Sequence, residues 1–331
     1  MDHRRRPSRL ELAAGALLTS TVVLHVVAMF PEYFSGSSSQ SIASQSDQAA
    51  LYGVVAGAWA IALGFGLSGP ARVRTAAGIA IGAAAAEAGF RLSDLGGVFR
   101  YGTSEAGAGL WVMLAAWSVG LAAAVVSILA VRSSARTTGA AARTPAADPP
   151  VPKAVVVVGI AALSFAAAGL FLPAWDHYSG ASTVTGRSFS FNLGNAFAEP
   201  WQIVSGNVLA AAAIAIVPLL AGLWVWRDRQ LSAGATAGVL GMLAAQFVAA
   251  VAQVDQAVPP SIAGISPSQA HQLGLTIGLK LTGWFLLDVL AAFALFVLTV
   301  AVATARPVQE NSAAIAPNAP EARSAATSAW S

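Results

Sequence analysis

Glu32-Tyr33-Phe34-Ser35-Gly36 and Asp176-His177-Tyr178-Ser179-Gly180 each follow an apolar run with an acid, ring-bearing side chains and a Ser-Gly step. The resemblance continues in order on either side of these two phrases. Gly53 to Arg74 spans the same interval as Gly206 to Arg227, Gly82 to Glu87 the same as Gly241 to Gln246, and Trp111 and Trp284 each open a last apolar run. Matches in one register, with gaps confined to loops, point to one membrane unit written twice in tandem.

Composition agrees with a membrane setting. Of 331 residues, 56% are hydrophobic and 10% charged, against about a quarter charged in soluble domains. Apolar runs fall near 10–30, 51–70, 75–95, 109–131, 154–173, 203–226, 232–253 and 280–304. Each is close to the ~20 residues that cross a bilayer core. The third is almost all Ala and Gly, and an interfacial hairpin is its alternative. The expected fold is therefore an all-α integral membrane protein. It has eight transmembrane helices arranged as two four-helix repeats, residues 10–132 and 153–305. An even number of helices per repeat gives both copies the same orientation, so the repeats are parallel and not inverted.

Charge sets the expected topology. Fourteen of the eighteen Lys and Arg lie at the N-terminus (1–9), in the loops with Arg72/Arg74 and Arg227/Arg229, in the linker 133–152 or at its borders (Arg132 and Lys153), or in the tail 306–331. Positive loops stay inside, which makes both termini cytoplasmic in a multi-pass plasma-membrane protein. The first run reads as an uncleaved helix despite Arg4-Arg5-Arg6, because no small-residue cleavage site follows it. Linker and tail are polar, rich in Pro and Ala, and expected to be flexible. With no interleaved basic-aromatic groove, nucleic acid is not an expected partner; membrane lipids and another envelope protein are.

In the outer loop 174–202, Ser182 to Phe191 alternates around Gly186 and predicts a short β-hairpin. Ser266-Pro267-Ser268-Gln269 is a helix start, with Ser at the N-cap and Pro at the first position. The last helix is expected to begin there and run into the membrane, and Gly53/Gly57, Gly78/Gly82, Gly234/Gly238 and Gly274/Gly278 are spaced for close helix packing.

Polar groups at membrane depth are costly and are suspects for function. His25, Glu87, Asn207, Gln246 and Asp288 all fall in the outer half of their runs. Glu87 precedes Arg91 by four residues, the favourable order for a helical ion pair. In the proposed alignment Glu87 matches Gln246 and Asp288 matches Ala115, so the two carboxylates differ between copies. That difference suggests that Glu87 and Asp288 approach and share a proton or a cation. At the outer face, Glu32, Tyr33, Asp176, His177, Tyr178, Asp255 and His271 are contact candidates. They lack the spacing of a metal site, only His25 lies in a span for haem, and the chain has no cysteine, so no metal or cofactor is expected. No nucleotide-binding loop or nucleophile elbow occurs.

The expected function is non-enzymatic: binding of an envelope partner, lipid or small ligand at the outward face. A proton- or cation-coupled transporter using Glu87 and Asp288 is the alternative, and a membrane-embedded enzyme on a lipid-linked substrate the weaker one.

Overall fold

The computed structural model describes residues 8–35, 40–69, 72–101, 106–137, 152–193, 206–254 and 256–304. The first half holds α1 (Arg9–Ala28), β1 (Glu32–Phe34), β2 (Gln40–Ser41), α2 (Ser46–Leu67), α3 (Val73–Tyr101) and α4 (Ala108–Thr137). The second holds α5 (Lys153–Phe171), β3 (Asp176–Ser182), β4 (Ser188–Leu193), α6 (Gly206–Trp224), α7 (Arg229–Val254), α8 (Pro267–Gln272), β5 (Leu275–Leu281) and α9 (Gly283–Thr304).

Among the described residues, six helices are long and apolar enough to cross a membrane: α1, α2, α4, α5, α7 and α9. The apolar stretch Val208–Trp224 of α6 is shorter, and α3 does not reach the same apolarity. The chain is a multi-pass membrane protein by this measure. Side chains such as Phe165, Leu220, Leu290 and Phe293 stand exposed around the bundle, as lipid-facing positions should.

The low apolarity of α3 has a physical reason. This helix packs against α2, α4, α6 and α7, so helices rather than lipid surround it. Ala76, Ala77, Ala80, Ala83, Ala84 and Ala86 are all buried. Its contact with α7 is glycine-mediated. A Cβ on Gly78 would sit 2.2 Å from the Leu231 carbonyl, and one on Gly238 2.3 Å from that of Ile79. Gly78 lies beside Gly234, while Gly82 meets Ala235 and Val239, so the two helices rise together, in parallel. The Gly53/Gly57 pair does no such work, since both positions face open space.

Polar contacts tie the halves at opposite ends. Gln253 on α7 donates to Asp47 at 3.2 Å and Gln256 to Ser46 at 2.9 Å, at the start of α2. At the other end Arg74 lies 3.4 Å from Asp228, in the turn between α6 and α7.

The strands modify the all-α expectation. The expected hairpin forms as β3 and β4 around Gly186 at φ +65°, but β3 begins earlier and includes Asp176, His177 and Tyr178. A third strand, β5, pairs along the other side of β3, giving the antiparallel order β4-β3-β5. The capping box at Ser266 and Gln269 is present, yet the last helix does not run on from it. α8 is cut after one turn and a half by Gly274 in the left-handed region, φ +54°. Leu275–Leu281 then alternates as a strand, and α9 starts only at Gly283. Gly274 and Gly278 therefore serve a turn and a strand, not helix packing. α4 also runs to Thr137, into the segment expected as linker.

Candidate functional site

The helix α3 places Glu87, Arg91 and Asp94 at i, i+4 and i+7, on one face two turns long. α2 packs beside it, and α1, packed on α2 and α4, reaches it through His25. Into that face project His25 from α1, Tyr52 and Trp59 from α2, and Tyr33 from β1. His25, Trp59 and Glu87 are 0% exposed and Arg91 1%.

Glu87 sits at the centre. His25 Nε2 is 2.9 Å from its Oε1, and Trp59 Nε1 donates to its Oε2 at 3.1 Å. Arg91 Nε lies 3.3 Å from Oε1, close enough for charge attraction but not aligned for a hydrogen bond. The other ring nitrogen of His25 is 2.8 Å from the Thr21 carbonyl. A carbonyl only accepts, so Nδ1 carries a hydrogen. The remaining proton lies between Nε2 and Oε1, and wherever it rests the His25–Glu87 pair is neutral overall.

Above this pair the network continues through Arg91. Its Nη1 donates to the Tyr33 hydroxyl at 2.7 Å, to Asp94 at 2.8 Å and to the Tyr52 hydroxyl at 3.4 Å. The guanidinium also lies over the Tyr52 ring, 5.2 Å from its centre. Tyr33 donates to Asp94 at 2.6 Å. Burial, followed by the neighbouring Tyr52, holds the Tyr33 phenol well above its ordinary ionisation range, so it stays a donor. Burying charges costs several kcal/mol each unless they are paired and hydrogen-bonded; here two bases and two carboxylates balance.

In the second half, the packing where α5, α7 and α9 meet the sheet is apolar. Trp175 lies 5.4 Å, ring centre to ring centre, from each of Phe171, Phe247 and Phe285, with Phe247 and Phe285 5.7 Å apart. One turn further along α9 from Phe285 comes Asp288, 0% exposed, with neither carboxylate oxygen hydrogen-bonded among the described residues.

The expected approach of Glu87 and Asp288 is not formed. Glu87 is taken up by α1, α2 and its own helix, whereas α9 packs principally on α5 and α7. The ion pair Glu87–Arg91 is present, with His25 as a further partner. Gln246 is partly buried on α7, and no described hydrogen bond joins it to either carboxylate. The side chain of Asn207 and all of Asp255 lie outside the described residues. Tyr52, Trp59 and Asp94 were not among the expected site residues. Asp94 follows Arg91 by three and was open to the same spacing argument, while Tyr52 and Trp59 share a face of α2 seven residues apart.

The outer candidates separate into two groups. Tyr33 belongs to the buried network and Glu32 is exposed beside it. Asp176, His177 and Tyr178 lie on β3, the central strand. His177 Nδ1 is 2.7 Å from the Asn192 side-chain oxygen across to β4, and Tyr178 stacks on Phe191 at 5.5 Å. His271 is exposed on α8.

The sheet has two unlike faces. Register places His177, Asn192 and Lys280 in one row, Ser179, Ser190 and Gly278 in the next, and Ala181, Ser188 and Thr276 in a third. These rows share one face, mostly exposed, with an open depression of about 620 Å³ over Ser179, Ser190 and Gly278. The opposite face carries Tyr178, Phe189, Phe191, Ile277 and Leu279 and is partly or fully buried. Thr282 ties the sheet to the end of α5 through the Trp175 and Ala174 carbonyls, both at 2.7 Å. Among the described residues no group of three or more His, Asp or Glu could hold a metal ion. Neither a protein-family model, nor a curated protein, nor a solved structure matches this chain.

Proposed function

We propose that this chain is a non-enzymatic multi-pass membrane protein whose bundle carries β4-β3-β5 as an outward-facing binding surface. The observation behind this is the two-faced sheet. Its aromatic and aliphatic side is partly or fully buried, and its open side is an array of small polar groups flanked by His177 and Lys280. A rigid sheet positions contacts better than a loop does. The partner is an envelope protein, a lipid headgroup or a small polar ligand. Cross-linking and mass spectrometry on protein purified in mild detergent test it. Replacing 183–187 and the exposed serines of β4 should remove the companion, whereas Glu87→Gln should retain it. A companion retained after the sheet is altered would end the proposal.

The membrane frame extends the same reading. The proposed eight spans form two parallel repeats, with termini inside and sheet outside. Packed helix pairs come in couples: α1–α4 with α5–α9, α1–α2 with α5–α6, α2–α3 with α6–α7, α3–α4 with α7–α9, and α2–α7 with α6–α3. Burial along α3 recurs along α7 at an interval of 156 residues, Val73 corresponding to Arg229. Buried Met113, Ala116, Ala123 and Ser127 likewise correspond to Phe285, Asp288, Leu295 and Thr299 at an interval of 172. These registers revise the alignment read from sequence. Glu87 falls opposite Leu243 rather than Gln246, and Asp288 opposite Ala116 rather than Ala115. Strings of Gly and Ala match themselves when slid by about a turn, which is how the earlier register slipped.

A second reading, an ion-coupled transporter, draws support from the unpartnered Asp288 carboxylate. Glu87 does not belong in it, because its oxygens are engaged by His25, Trp59 and Arg91. Asp288→Asn should then abolish ion-driven uptake into proteoliposomes; unchanged uptake removes this reading.

A further inference from the structure

We propose that Asp288 is a reversible proton-binding site of the α5–α6–α7–α9 group, occupied at neutral pH. This deepens the transporter reading by naming the ion. The carboxylate is fully buried, and among the described residues neither oxygen has a hydrogen-bond partner. An isolated ionised carboxylate in such surroundings is so costly that the group takes up a proton instead.

Among the described residues no counter-charge is at hand. Within α5, α6, α7 and α9 the only other ionisable side chains are Lys153 and Arg229. Both stand in the first turns of α5 and α7, on the order of 20 Å along the bundle from Asp288. The charged groups of the sheet, Asp176, His177 and Lys280, lie beyond the ends of these helices. Between them and Asp288 come Trp175, Phe247 and Phe285, whose rings pack edge to face or tilted. Coulomb stabilisation of an anion from either end is correspondingly weak.

A proton fits better than a metal cation. Hard cations need several oxygen ligands, and the Asp288 oxygens have no polar neighbour in bonding range. On α5, which packs against α9, the buried Ser164 hydroxyl donates to the Ile160 carbonyl at 2.6 Å. A proton asks for one oxygen only.

Infrared spectroscopy of the full chain in detergent tests this. Wild type at neutral pH should show a protonated-carboxyl stretch that shifts in deuterated water and is lost, as a one-proton curve, as pH rises. Asp288→Asn should lack the band and Glu87→Gln should keep it. Asp288→Glu should retain a displaced band, which covers the case in which the amide variant folds poorly. Absence of the band from wild type at neutral pH overturns the proposal, as does a band that neither exchanges nor titrates. Either failure leaves transport of some other ion open to the uptake measurement.

Discussion

Glu87 has donors or cations from three helices converging on one carboxylate, with no water needed to complete its shell. Removing it leaves His25 and Arg91 buried together. Glu87→Ala should therefore destabilise the folded protein by about 3–5 kcal/mol, read as a large drop in thermal midpoint in detergent, while Glu87→Gln should cost less. Tyr33→Phe removes one donor from Asp94 and one acceptor from Arg91, and should cost about 1–3 kcal/mol. Tyr178 offers a check by pH. Burial, with Asp176 second, pushes its phenol up to about 12 from an ordinary value of 10.0. Its folded-state value is raised, so its contribution is complete below pH 10.0 and is lost as pH climbs through about 12. Ultraviolet titration should show a component ionising near pH 12 that is lost in Tyr178→Phe, while the still later ionisation of Tyr33 is unchanged. At this scale the sequence identified costly groups more readily than their partners. His25 and Glu87 are 62 positions apart, and helical periodicity tells which face a residue occupies, not which helix that face meets.

At the scale of elements, the decisive contact is α3 against α7. Gly82→Leu should block it, because a Cβ there would stand 2.0 Å from the Ala235 carbonyl, a backbone atom that cannot swing aside. Size-exclusion chromatography should show loss of the monodisperse species. Gly57→Ala, with nothing within 4 Å, should behave as wild type. The four glycine pairs look alike in sequence, yet two are helix contacts and two are not, since spacing carries no information about the opposite surface. The last helix teaches a related lesson. Ser266, Pro267 and Gln269 announced a helix start correctly, but its stop after Gln272 depended on Gly274 taking a positive φ. Leu275–Leu281 becomes a strand because β3 offers an open edge, and that edge comes from residues a hundred positions away.

For the whole molecule, the bundle of apolar helices was legible because lipid demands apolar surface over a fixed length. The central helix was the least certain for the same reason, since α3 answers to its neighbours and not to lipid. Orientation can be measured directly, as the chain has no cysteine of its own. A cysteine at Val184, in the β3–β4 turn, should react with an impermeant maleimide on intact cells. One at Ser68, between α2 and α3, should react only after permeabilisation; the reverse pattern would invert the proposed topology.

The parallel crossing of α3 and α7 carries one more implication. It joins helices that sit third in each half, and the α2–α7 contact is matched by α3–α6 across it. On the proposed two-repeat reading this is the geometry of a homodimer about an axis along the membrane normal. On that reading the covalent join in the segment between Thr137 and Lys153 contributes local concentration, and the helix contacts carry the assembly. Two separately expressed polypeptides, divided in that segment, should find each other in the bilayer and co-purify as one complex.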